Sequence, residues 1–151
     1  MTTQLSHKGA ATGRVIFEIL RLSGRLAAAG DALVGDIGLT SARWQVLATA
    51  DFAKRSPTVS DIARRLGLAR QSVQRLVNEL AADGFVRLED NPAHKRAKLV
   101  VVTESGKDIL QQAEARRAPW TEGLADPLRH LDIAAAESVL AGLRQALDKS
   151  A

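Results

Sequence analysis

The segment Ala69-Arg70-Gln71-Ser72-Val73-Gln74-Arg75-Leu76-Val77-Asn78-Glu79-Leu80-Ala81-Ala82-Asp83-Gly84 reads as one amphipathic helix with an unusual wet face. Val73, Leu76, Val77 and Leu80 recur at i, i+3, i+4 and i+7, the period that lines one side of an α-helix. Arg70, Gln71, Gln74, Arg75 and Asn78 fall on the other side. Guanidinium and carboxamide groups form bidentate hydrogen bonds with base edges, or charge-assisted ones with phosphates. A surface helix of this length ordinarily interleaves Glu and Lys, whereas here the acids Glu79 and Asp83 wait until the last turns. Gly84 supplies the residue that ends the helix. The segment reads as a helix that meets nucleic acid, although Arg and Gln on a solvated face are also common without one.

The flanks decide between those readings. Upstream, Thr58 reads as an N-cap with Asp61 three residues on, close to a capping box. Ile62, Ala63 and Leu66 form the buried side of a short helix that stops at Gly67, and Leu68 and Ala69 lead straight into the next. Two short helices joined by a tight turn containing Gly make a helix-turn-helix. Downstream, Phe85 to Glu89 alternates as a strand, and Asp90-Asn91-Pro92-Ala93 is turn chemistry. Lys98 to Thr103 then reads as a second strand with Leu99 and Val101 on one face. A hairpin directly after a helix-turn-helix is a wing. Its tip, His94-Lys95-Arg96, is cationic, which suits a polyanion or merely keeps a hairpin soluble.

Charge follows the same map. The 151 residues carry a net charge of +4, but residues 54–107 hold 11 Lys/Arg against 6 Asp/Glu and the remainder 10 against 11. The whole basic excess sits around the helix-turn-helix and hairpin, as a polyanion docking at one place requires. There is no cysteine, so no disulfide, thiolate metal site or thiol switch is expected. His7, His94 and His130 show no metal-ligand spacing, and no nucleophile motif or phosphate loop is present. The chain is therefore not expected to be an enzyme, and no cofactor or metal is expected. No apolar run approaches the ~20 residues of a membrane span, and no leader pattern opens the chain. A soluble, cytoplasmic protein is expected.

The outer segments are helical. Residues 1–9 lack periodicity and are expected to fray. From Ala10 to about Val34, Val15, Ile16, Ile19, Leu20, Leu26 and Leu33 give a stripe that Gly24 and Gly30 weaken. Thr40 or Ser41 caps a helix through about Phe52. Thr103 caps another, which Pro119 is expected to kink or break, with Pro127 a second interruption. Asp132 caps the last, lined by Ile133, Ala136, Val139, Leu140, Leu143 and Leu147. These stripes exceed what a winged domain of this size covers. Residues 10–38 and 104–151 are thus expected to be dimerisation helices around a winged helix-turn-helix region at 39–103. A homodimer would space two recognition helices ~34 Å apart on a palindromic operator.

This order of elements, with Leu39-Thr40-Ser41-Ala42-Arg43-Trp44-Gln45-Val46-Leu47, Ile62-Ala63-Arg64-Arg65-Leu66-Gly67-Leu68, Leu80-Ala81-Ala82-Asp83-Gly84-Phe85-Val86 and Asn91-Pro92-Ala93-His94-Lys95-Arg96, resembles the MarR (multiple antibiotic resistance regulator) family. The likeness spans about residues 12–148. It implies a mainly α fold, with a winged helix-turn-helix, a two-stranded β wing and N- and C-terminal dimerisation helices. It also implies a dimeric transcription regulator of duplex DNA, usually a repressor, that often releases DNA on binding a small aromatic or phenolic effector.

Two residues depart from the family pattern. Ala69 stands where Ser or Thr commonly opens the recognition helix, which forfeits a cap worth about 1 kcal/mol. His94 stands where an Asp usually braces the Arg that enters the minor groove, a position matched here by Arg96.

On this reading Arg70, Gln71, Ser72, Gln74 and Arg75 face the major groove, and Ser60, Arg64 and Arg65 touch phosphates. Arg96 enters the minor groove, with His94, Lys95 and Lys98 beside it. Trp44, Arg43 and Phe17 are the residues expected around an effector, although Trp44 serves equally well as plain core. The competing reading is a winged-helix module that turns its basic face to an acidic protein partner. An enzyme built on the same helices is a remote third.

Overall fold

The computed structural model describes residues 5–150. Six helices and one hairpin follow in order: α1 (His7–Val34), α2 (Ser41–Asp51), α3 (Val59–Leu66), α4 (Arg70–Ala82), β1 (Val86–Glu89), β2 (Leu99–Val102), α5 (Glu104–Ala125) and α6 (Ile133–Asp148). Short 3-10 turns follow α1 at Gly35–Ile37 and α5 at Asp126–Leu128. The fold is mainly α with a two-stranded wing, as the sequence led one to expect. The chain divides into two compact units, Met1–Glu114 and Ala115–Ala151.

In the first unit the core lies under the helix-turn-helix. Leu47, Ile62, Leu80, Val34, Val46, Val73, Val77 and Val100 are fully buried, so α2, α3 and α4 share one apolar centre that β2 closes. The four residues that defined the stripe of α4 are all buried. The strands pair antiparallel, with Val86 opposite Val102 and Leu88 opposite Val100. The face turned to the core is the one bearing Val86 and Val100, not that of Leu99 and Val101.

Several expectations need correction. The first helix begins at His7 rather than Ala10, because Ser6 caps it by accepting from the Gly9 amide at 3.0 Å; residues 1–4 lie outside the described residues. Gly30 is not a weak point. It lies where α2 crosses α1, and a Cβ there would sit 2.7 Å from Ser41 Oγ. The same corner is tied by Asp31, whose Oδ1 accepts from the Ser41 amide at 2.6 Å. Pro119 does not break α5, which continues to Ala125. It removes one amide donor from a 22-residue helix at an exposed position, and the remaining ladder carries the helix through. Pro127 does coincide with an interruption, and Asp132 caps α6 by accepting from the Ala135 amide at 2.9 Å.

In the second unit, no described residue is buried. Ile133, Val139, Leu140 and Leu147 all lie open, as do Val15, Ile16, Ile19, Leu20 and Leu26 of α1. No described helix is long and apolar enough to cross a membrane.

Candidate nucleic-acid interface

The interface is built from its caps upward. Thr58 Oγ1 accepts from the Asp61 amide at 3.2 Å, and Asp61 Oδ2 accepts from the Thr58 amide at 3.0 Å and from its hydroxyl at 2.8 Å. That reciprocal box starts α3. The Thr58 amide, more than any other group, holds the Asp61 carboxyl below its ordinary value, with Arg64 and Arg65 adding to the effect. Gly67 ends α3 with φ +65°, a conformation that L side chains rarely adopt. Its neighbour Leu68 donates back to the Ala63 carbonyl at 3.0 Å, so α4 leaves at a set angle.

Helix α4 starts uncapped, since Ala69 offers no side-chain acceptor. Its core stripe holds it in place, and Arg70, Gln71, Ser72 and Arg75 are exposed, with Gln74 half-buried. Two of these side chains lie along the helix: Arg75 pairs with Glu79 at 2.6 Å, and Gln74 donates to Asn78 Oδ1 at 2.9 Å. Exposed pairs at this spacing are worth a few tenths of a kcal/mol. A bidentate base contact discriminates by about 1–3 kcal/mol, more than these pairs hold, so they leave both side chains free to exchange partners.

The wing and the two helices meet at one concavity. A cleft of about 150 Å³ is lined by Thr58, Val59, Ser60, Arg70, Gln74, Leu88, Arg96, Ala97 and Lys98. It gathers residues of α3, α4 and the wing, which lie up to four tens of residues apart in the chain, at one mouth rich in cations. Arg64 lies outside it and pairs with Asp61. Arg65 lines a different hollow, beside Phe52. His94 and Lys95 are exposed at the wing tip. Among the described residues no acid pairs with Arg96; the tip is instead held by the hydrogen bonds of its own turns. Asn91 Oδ1 accepts from the Ala93 amide at 3.0 Å, and the His94 and Ala97 amides close successive turns at 3.1 Å each. Lys98 stands 3.8 Å from Asp90.

The root of the wing rests on contacts that no local pattern announces. The Val100 amide donates to the Pro57 carbonyl at 2.8 Å, and Thr58 bridges Leu99, so the start of α3 forms a third rung beside β2. On the other side, Thr103 Oγ1 donates to the Gly84 carbonyl at 2.6 Å and accepts from the Gly106 amide at 3.0 Å. Gly106 is required there, because a Cβ would collide with the Phe85 carbonyl oxygen. Gly84 itself has φ +78°.

The three residues expected around an effector are placed differently from one another. Trp44 is half-buried and packs against the core. Phe17 lies open on α1, 62% exposed. The Arg43 side chain is only 13% exposed; it pairs with Asp83 at the end of α4 and donates to the Gly38 carbonyl at 3.1 Å. Its Nε is buried without a partner. Arg43 thus joins the α1–α2 corner to the far end of the recognition helix. The sequence showed both residues, but nothing in their spacing marked them as a pair.

Residues 37–97, the span from the α1–α2 corner to the wing, match the profile of the MarR family. The chain belongs to the MarR family. An uncharacterized protein of Mycobacterium tuberculosis, Rv2011c, is 36% identical over 132 residues, covering 87% of this chain and 89% of its own. The transcriptional activatory protein BadR of Rhodopseudomonas palustris is 30% identical over 118 residues, 75% of this chain and 67% of its own. Among solved structures, the Mycobacterium tuberculosis transcriptional regulator MosR in complex with DNA superposes with a TM-score of 0.72 at 26% identity, over 89% of this chain and 96% of that one. As a MarR-family member, the chain is a DNA-binding transcription regulator, a family of regulators and not of enzymes.

Proposed function

We propose that this MarR-family protein is a homodimer that binds a palindromic operator, represses by occupying it, and is released by a small aromatic or phenolic effector. The observation that carries the DNA-reading part is the cleft where Ser60, Arg70 and Gln74 converge with Arg96 and Lys98 of the wing. Arg70, Gln71, Ser72, Gln74 and Arg75 read the major groove, and Arg96 enters the adjacent minor groove. Ser60, Arg64, His94, Lys95 and Lys98 serve the backbone, whereas Arg65 lines the separate hollow beside Phe52. The open apolar residues of α1 and of residues 115–150 support dimerisation through residues 10–38 and 104–151. BadR carries the name of an activator; whether a bound dimer blocks or assists transcription depends on where its operator lies relative to the promoter.

Selection of bound duplexes from a random pool tests the reading. A palindromic consensus is expected, with log K falling against log[salt] by roughly 0.9 per phosphate neutralised. Arg75→Ala and Gln71→Ala should relax base preference by ~1–3 kcal/mol each, while Lys98→Ala should weaken all duplexes alike. A consensus that survives both recognition-helix substitutions would overturn the assignment. No selected consensus at all would favour an acidic protein as the partner of the basic face.

The effector arm concerns Trp44, Arg43 and Phe17. A ligand that draws Arg43 away from Asp83 would loosen the end of α4, and linkage requires that bound DNA weaken the ligand equally. Titration of aromatic acids and phenols against Trp emission in Trp120→Phe isolates Trp44. Release of DNA with no change at Trp44 would place the effector elsewhere.

A further inference from the structure

The cations of α3 do not all face one way. Ser60 lines the cleft with the recognition helix and wing, whereas Asp61 and Arg65 line a second hollow with Phe52, Lys54, Arg55, Ser56 and Pro57. The two hollows share no residue. Phe52, one of only three phenylalanines in the chain, is 87% exposed at the end of α2. A single open apolar residue is ordinary on a protein surface. Its surroundings are what distinguish this one.

Lys54, Arg55 and Arg65 line the same hollow as the ring, all exposed and none in an ion pair among the described residues. The one carboxylate among the lining residues, Asp61, is already committed to Thr58 and Arg64. The nearby Asp51 lines a neighbouring hollow together with Lys107 and with the other flank of Lys54 and Arg55, but makes no ion pair with any of them among the described residues. An open aromatic side chain beside unpaired cations is the composition of a protein-binding surface, where aromatic anchors and Arg are enriched. Phosphates would use the three cations and leave the ring idle; a carboxylate-bearing segment with an apolar side chain uses both.

We propose that the hollow beside Phe52 docks an acidic, amphipathic segment of another protein, on a face separate from the one that meets DNA. Its carboxylates would meet Lys54, Arg55 and Arg65, and its apolar side chain would lie on Phe52 and Pro57. The surface would let a regulator seated on its operator hold a second protein there.

A random 12-residue peptide library displayed on phage, selected against the full-length protein, tests this. Enriched peptides should carry clustered Asp or Glu around at least one large apolar residue. Their binding should fall roughly tenfold or more in Phe52→Ser and in Lys54→Glu/Arg55→Glu, as the loss of a hot-spot anchor or a reversed rim would cause. It should persist on protein saturated with the selected operator duplex, and Phe52→Ser, which changes no charge, should hold that duplex within about twofold of wild type. Peptides without acids, or peptides indifferent to both variants, would overturn the proposal. So would displacement of the peptide by DNA or weaker operator binding in Phe52→Ser, either of which would assign the hollow to the DNA interface. A dimer that dissociates in Phe52→Ser would overturn it in favour of a contact between copies.

Discussion

Residues 34–113 and the two ends of the chain solve the problem of burial in opposite ways. Among the described residues every buried apolar side chain lies between Val34 and Ala113, where α2, α3, α4 and the hairpin close a core with the end of α1 and the start of α5. The ends are no less apolar in sequence, yet Val15, Ile16, Leu20, Val139, Leu140 and Leu147 remain open. The difference teaches that apolar periodicity reports a face to be covered and says nothing of what covers it. The winged unit is built from intrachain packing; the ends carry the open apolar faces through which we propose that two copies associate.

The comparison breaks most sharply at its two extremes. Leu80→Ala, in the fully buried stripe of α4, should cost about 2–5 kcal/mol in urea unfolding. Leu140→Ser should leave the unfolding of the winged unit within about 0.5 kcal/mol, since nothing buried is lost there. Its effect should appear instead as dissociation in sedimentation at low micromolar concentration. Equal losses in the two variants would mean that the ends and the middle form one core.

A smaller effect is expected where the wing joins the core. Gly106→Ala forces a methyl group onto the Phe85 carbonyl and should destabilise the protein by about 1–3 kcal/mol, while Gly142→Ala, with open space around it, should not. Thermal melts of the two variants side by side check this. If Gly106→Ala melts with wild type, the close approach of α5 to the Phe85 carbonyl is wrong.

Next comes the Arg43–Asp83 pair. Arg43→Met keeps much of the apolar stem but removes the link to Asp83 and the Gly38 carbonyl. The pair is half open on the Asp83 side, so a loss of about 1 kcal/mol is expected. Operator affinity should fall as well, through the placement of α4. A variant with native stability and native affinity would show that Arg43 merely fills space.

The smallest effect is one of pH. Asp61 titrates below its ordinary value of 3.8 in the folded protein, chiefly because the Thr58 amide donates to it. Its contribution is therefore complete above that value and is lost as pH falls through the lower folded one. The carboxylate is well exposed, so the gain stays below about 1 kcal/mol. Comparing wild type with Asp61→Asn from pH 7 to pH 2, the wild-type advantage should shrink only at the acid end. An advantage constant down to pH 2 would falsify the assignment.

Much of this was legible in the residues alone, and where it was legible the cause is short range. The capping box of Thr58 and Asp61, the stops at Gly67 and Gly84, the stripe of α4 and the Asp132 cap each lie within a few residues of what they act on. The chain's chemistry therefore determined its elements, their order and the concentration of positive charge around them. The misreadings share a cause too. Gly30 and Pro119 were judged by helix propensity, a weak preference that a neighbouring helix or a long hydrogen-bonded ladder overrides.

Only the tertiary structure decided which distant groups meet. Arg43 finds Asp83 across 40 residues, and Ser41 finds Asp31 across the α1–α2 corner. Val100 finds Pro57 at the root of the wing, and Arg65 turns toward Phe52 rather than toward the cleft of Arg70 and Arg96. Such pairings depend on crossing angles and strand register, which the summed packing of the core sets and which no single residue's periodicity encodes.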